Sequence, residues 1–89
     1  MYGKDDMDYS ILLTRLGKNL RQRRLHRGLT QAQLASMAAL TRQKIIAIEK
    51  GDASVAVGAY ARAIAALGCD LAIVQAAMPT LDEIQGVFD

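Results

Sequence analysis

Thr30 to Gly51 reads TQAQLASMAALTRQKIIAIEKG, and the parsing of these residues decides the fold. Thr30 and Gln33 form a Thr-x-x-Gln capping box, in which hydroxyl and amide each cover one of the amides left unpaired where a helix starts. Leu34, Ala35 and Ala38 then face inward. Ala39, Leu40 and Thr41 make a turn, and Thr41 is the N-cap of a second helix that buries Ile45 and Ile48 and stops at Gly51. Two short helices joined by a tight turn are predicted, the second presenting Arg42, Gln43 and Lys44 at its entrance.

Upstream, residues 1–8 hold Asp5, Asp6 and Asp8 with little apolar material and are expected to be flexible. Asp8 or Ser10 can cap a helix that follows, in which Leu12, Leu13, Leu16 and Leu20 fall on one side and the arginines on the other. Gly28 ends it, with Arg23, Arg24 and Arg27 near the last turn, where cations suit the helix dipole. Downstream, Asp52 to Ala56 is a loop. A helix is predicted over about Val57 to Leu67, burying Tyr60, Ile64 and Leu67, with Arg62 outward and Gly68 as its stop.

Beyond Gly68 the period changes. Cys69 to Ala76, CDLAIVQA, alternates and is rich in Leu, Ile and Val, which predicts a strand. The chain holds no second strand to pair with it, so its unpaired backbone groups call for a partner, most simply the same strand of a second copy. Leu71, Ala72, Ile73, Val74 and Gln75 are the expected dimerisation residues. Pro79 ends the run, and Thr80 to Glu83, TLDE, is a second capping box that can start one helical turn in an acidic tail. The expected organisation is therefore a flexible 1–8, a helical domain over 9–68, a dimerisation strand over 69–77 and a tail over 78–89.

Eighty-nine residues suffice for one small domain. Its apolar half is Ala, Leu and Ile with few aromatics, a helical composition. So small a core leaves little room for an internal pocket, and oligomerisation is a natural source of further stability. Cys69 is the only cysteine, which excludes an internal disulfide and a cysteine metal cluster and reads as a small buried residue. No apolar run approaches the ~20 residues of a membrane helix, and YGKDDMDYS lacks the order of a signal peptide, so a cytoplasmic location is expected. The net charge is only +2, but it is segregated. Arg15, Lys18, Arg21, Arg23, Arg24, Arg27, Arg42, Lys44 and Lys50 face the single acid Glu49 between residues 15 and 50, while the remainder is net acidic. One positive flank is the footprint of phosphate neutralisation, although a charge run also makes an ordinary solvated face, so charge alone does not decide.

The chemistry concentrates at the entrance of the third helix. Arg42 and Lys44 stand in its first turn, where the macrodipole is positive and acids would stabilise by ~0.3–1 kcal/mol each. A phosphate or base edge docked there reverses the sign of their effect. Arg42, Gln43, Ile46, Ala47 and Lys50 are placed on one face, opposite Ile45 and Ile48. That face offers a guanidinium suited to guanine O6 and N7, an amide suited to adenine N6 and N7, and apolar groups for a thymine methyl. Ile46 is the residue least suited to a solvated face, though a single exposed isoleucine is also ordinary.

Leu20, Arg24, Gly28, Leu29, Thr30, Gln31, Leu34 and Ala35 spell LxxxRxxxGLTQxxLA, followed by Ile45, Ile48, Glu49, Gly51 and the AALG of Ala65 to Gly68. On these residues the chain from 16 to 71 resembles the DNA-binding domains of the phage Cro/cI repressor, or Xre, type. The resemblance implies a mainly α, lambda-repressor-like helix-turn-helix domain of four to five helices. It implies that Gln31 touches the DNA backbone and that Arg42, Gln43, Lys44, Ile46 and Ala47 read bases or phosphates; Thr41 at the helix start and Lys50 on the same face complete the expected DNA-binding set. It also implies that Arg24 and Glu49 form a structural ion pair clamping the first helix to the end of the third. Ala39 stands where the family has a glycine, implying either a turn without positive φ or strain, and Val55 replaces a common proline. Past residue 68 the chain resembles antitoxins of HipB type, in which a strand pairs across a dimer and the partner is a kinase-like, HipA-like toxin.

The expected function is a homodimeric, sequence-specific double-stranded DNA-binding regulator, a repressor on a palindromic operator. An antitoxin role with a protein partner is the second expectation, and a stand-alone Xre-type repressor without a toxin is its alternative. No enzyme, metal, cofactor or membrane partner is expected, because His26 lies among arginines with no acid or cysteine constellation beside it.

Overall fold

A computed structural model describes residues 8–76; the flexible-segment reading of residues 1–7 and the capping box and tail after Ala77 lie outside the described residues. Among the described residues four helices follow one another: α1 (Tyr9–His26), α2 (Gln31–Ala38), α3 (Arg42–Glu49) and α4 (Val57–Ala66). Their starts are dictated locally. Asp8 caps α1, its Oδ1 accepting from the Ser10 amide at 2.9 Å. At α2 the Gln33 amide donates to Thr30 Oγ1 at 3.0 Å while the Thr30 amide donates to Gln33 Oε1 at 2.8 Å, completing the capping box. Thr41 Oγ1 accepts from the Lys44 amide at 3.1 Å at the head of α3. Ala56 precedes α4 and supplies no side-chain cap.

The helices enclose a core in which Leu34, Ile45 and Ile48 are almost wholly removed from solvent, joined by Leu20, Val55, Tyr60, Ala63, Ile64 and Leu67. Helix α3 lies at the centre, packed against α1, α2 and α4. Tyr60 adds a polar tie: its hydroxyl donates to the Asp52 carbonyl at 2.9 Å, fixing the loop before α4. Burial, and to a lesser degree the nearby Asp52, raises the Tyr60 phenol above its ordinary value.

Helix α1 departs from the expected leucine side. Leu20 is buried and Leu13 and Leu16 are half-buried, but Leu12 is 43 % exposed. The inward stripe runs Leu13, Gly17, Leu20, Arg24, with Leu12 turned about 100° away from Leu13 by the helix period. Gly17 is there because α1 runs against the backbone of α3: a Cβ on it would lie 2.5 Å from the Ile48 carbonyl oxygen. Gly51, at φ +76°, closes the same contact from the other side, with the Leu13 carbonyl oxygen 2.6 Å from where its Cβ would stand. Two missing side chains thus set how close α1 comes to the end of α3.

After Gly68 the chain carries neither helix nor strand up to Ala76, and no strand occurs among the described residues. Cys69 is half-buried and packs against the core. Leu71, Ala72, Ile73, Val74 and Gln75 are exposed, with no ladder among the described residues to receive them.

Candidate nucleic-acid interface

Arg42, Gln43 and Lys44 are all exposed in the first turn of α3, which contains no acid. Thr41, also exposed, uses its oxygen lone pair on the Lys44 amide and keeps its hydroxyl proton free to donate. The remaining first-turn amides have no intrahelical partners, so positive dipole, amide donors and two cationic side chains converge on one end. Lys50 is exposed one residue beyond the helix. Lys44 also lies within the field of Asp52, whose carboxyl is held below its ordinary value chiefly by hydrogen bonds from the Ser54 hydroxyl and amide.

The apolar part of the face is less open than its sequence pattern suggests. Ile46 and Ala47 are half-buried, and Ala47 packs against the core. A helix of eight residues surrounded on three sides has a narrow solvent stripe. The positions that stand fully free are therefore Arg42, Gln43, Lys44 and Lys50.

The orientation of α3 is set by a buried polar cluster. Arg24 Nε donates to Glu49 Oε2 at 2.6 Å and its Nη2 to Oε1 at 3.0 Å, both side chains being about 5 % exposed. Arg24 Nη1 donates to the Leu29 carbonyl at 2.9 Å, so one guanidinium ties α1, the α1–α2 loop and the end of α3 together. Such a bidentate pair is geometrically specific as well as strong.

Gln31 joins this cluster: its Nε2 donates to Glu49 Oε1 at 3.2 Å. The residue that the resemblance assigns to the DNA backbone is half-buried and engaged within the fold, with one amide hydrogen left to donate. Arg62 Nη1 donates to the Ala39 carbonyl at 3.4 Å, and Arg27 Nη1 to the Ala66 carbonyl at 3.3 Å. Neither was foreseeable, since each joins residues far apart in sequence. The turn between α2 and α3 has positive φ: Ala39 sits at φ 58°, ψ 43°, in the left-handed region.

A sequence model described as a helix-turn-helix domain matches residues 15–77. The chain belongs to this helix-turn-helix family. Comparison with curated proteins finds no match. In helix-turn-helix terms α2 and α3 are the paired helices, and α3 stands in the place of the second, which in such domains lies in the DNA major groove with its N-terminal residues against base edges. The helix-turn-helix domain thereby makes the chain a DNA-binding regulator by class. No helix among the described residues is long and apolar enough to cross a membrane.

Proposed function

We propose that this protein is a sequence-specific transcriptional repressor of Xre type that binds double-stranded DNA as a homodimer. The observation that carries the reading is the head of α3, where Arg42, Gln43 and Lys44 stand exposed on an acid-free, capped helix end. Arg42 and Gln43 read base edges, Lys44 and Lys50 neutralise phosphates, and Thr41 donates to the backbone. Ile46 contributes its free edge to a thymine methyl, and Ala47 lines the same approach. Gln31 retains one amide hydrogen for a phosphate while bracing Glu49.

Homodimerisation is supported by the ribbon after Gly68, where Ile73 is 94 % and Val74 79 % exposed. A strand over residues 69–77 pairing with its twin would cover these side chains and satisfy the backbone edge. Two recognition helices then enter successive major grooves ~34 Å apart on a palindromic operator. Selection of bound duplexes from a random pool tests this directly: a palindrome is expected, and equal affinity for selected and random duplex at physiological salt would sink the proposal.

The C-terminal resemblance to HipB-type antitoxins adds a second role in the same location, the cytoplasm, with a HipA-like toxin held by the outer surface. A stand-alone repressor is the alternative, favoured if affinity capture from the native host yields no second protein. The proposal includes no catalytic step, metal or cofactor.

A further inference from the structure

The seam between α1 and α4, away from the head of α3, is an open trough of about 520 Å³. Leu16, Leu20, Ile64 and Leu71 make its apolar lining, Arg23 and His26 stand along α1, and Asp70 lies beside Leu71. Through Leu16, Ile64 and Leu71 the trough continues into a smaller apolar hollow of about 130 Å³.

Thirteen residues follow Ala76 and read AMPTLDEIQGVFD. Within them Leu81, Ile84 and Phe88 recur at spacings of three and four, the stripe of a single helical face, behind the Thr80–Glu83 capping box. The segment carries Asp82, Glu83 and Asp89 and no base. A helix of ~8 residues does not persist alone in water, and Gly86 adds about 1 kcal/mol against it. The stripe has a use only where a surface buries it.

We propose that the chain's own segment 80–89 occupies the α1–α4 trough, its apolar Leu81, Ile84 and Phe88 meeting the apolar lining and its acids complementing Arg23 and His26. Reach permits this: ten extended residues span up to ~33 Å, enough for a segment that begins after Ala76 to return to the trough. The charges are complementary along α1, and Asp70 sets the polarity by repelling the acids from the Leu71 end. A protein partner that uses this face must displace the tail, which makes the tail an internal competitor. The proposal does not rest on the DNA-binding reading, and its test involves no DNA.

Cys69 is the chain's only cysteine and lines the trough, so its labelling rate with an uncharged maleimide reports occupancy in the intact protein. Combining Ile84→Asp with Phe88→Asp is expected to raise the rate about tenfold, equivalent to about 1.4 kcal/mol of docking. Arg23→Glu is expected to raise it severalfold as well. Its direct electrostatic effect would favour the unreactive thiol and slow labelling, so it cannot mimic undocking. Circular dichroism melts verify that each variant retains α1 to α4. A wild-type rate in either variant overturns the proposal. Protection that disappears when the unaltered protein is diluted to monomer also overturns it, because the occupant is then a second copy.

Discussion

Ala39 holds a conformation that an L-residue enters at a cost of about 1–2 kcal/mol. What keeps it there is local and tertiary at once: the Leu40 amide donates to the Ala35 carbonyl at 2.9 Å, and Arg62 reaches the Ala39 carbonyl from α4. Ala39→Gly relieves the strain but returns some of the gain through the entropy of the unfolded chain, so a net stabilisation of about 0.5–1 kcal/mol is expected. The urea midpoint should rise with an unchanged slope. Glu49 is the opposite case, a residue whose removal leaves charge stranded. Glu49→Ala abandons the buried Arg24 guanidinium and the Gln31 amide, and a loss of about 3–5 kcal/mol is expected in the same measurement. Asp52 is a smaller, pH-dependent contributor. Its folded-state value lies below 3.8, so its contribution is present above that pH and disappears as the pH falls through the folded value. Ser54→Ala should move the Asp52 titration, followed by NMR, back upward.

Between elements, the contact that decides the pose of the recognition helix is the crossing of α1 over the last turn of α3. Helix propensity alone says that Gly17→Ala, inside α1, stabilises by about 0.5–1 kcal/mol. Packing says the reverse, because the new Cβ would meet backbone of α3 at 2.5 Å and backbone cannot rotate aside. Overpacking of this kind costs about 1–3 kcal/mol or more, so a fall in the urea midpoint is expected; a rise would show that α1 can lift off α3 without loss. Gly17 also marks the boundary of what a sequence discloses. Thr30 with Gln33, and Thr41, are legible as caps because each acts within three residues of itself. Gly17 sits mid-helix among leucines, and nothing nearby indicates that another backbone passes beside it. Leu12 fails as a core residue for the same reason, since the side of α1 that is buried depends on where α3 lies.

At the scale of the whole molecule, the charges near α3 are legible from sequence because exposed cations need no partner to announce them. The division of labour behind them is less so. Gln31 and Glu49 are eighteen residues apart and meet only because α2 and α3 pack side by side, while Ala47 lies on the periodic outer face yet is covered by the body of the domain. The strand expected after Gly68 is the extreme case, since its pairing would belong to an assembly rather than to one chain. Lys44 provides a way to count that assembly on DNA. Each phosphate neutralised contributes about −0.9 to the slope of log affinity against log salt. If one Lys44 per protomer contacts a phosphate, Lys44→Ala in a dimeric complex should make the slope shallower by about 1.8, against about 0.9 for a single bound protomer. The expected result is the larger change, measured by fluorescence anisotropy on a selected operator between 50 and 200 mM salt, a range over which such contacts dominate the affinity. An unchanged slope would show that Lys44 neutralises no phosphate in the complex, because only a cation that displaces counterions from the duplex contributes to it.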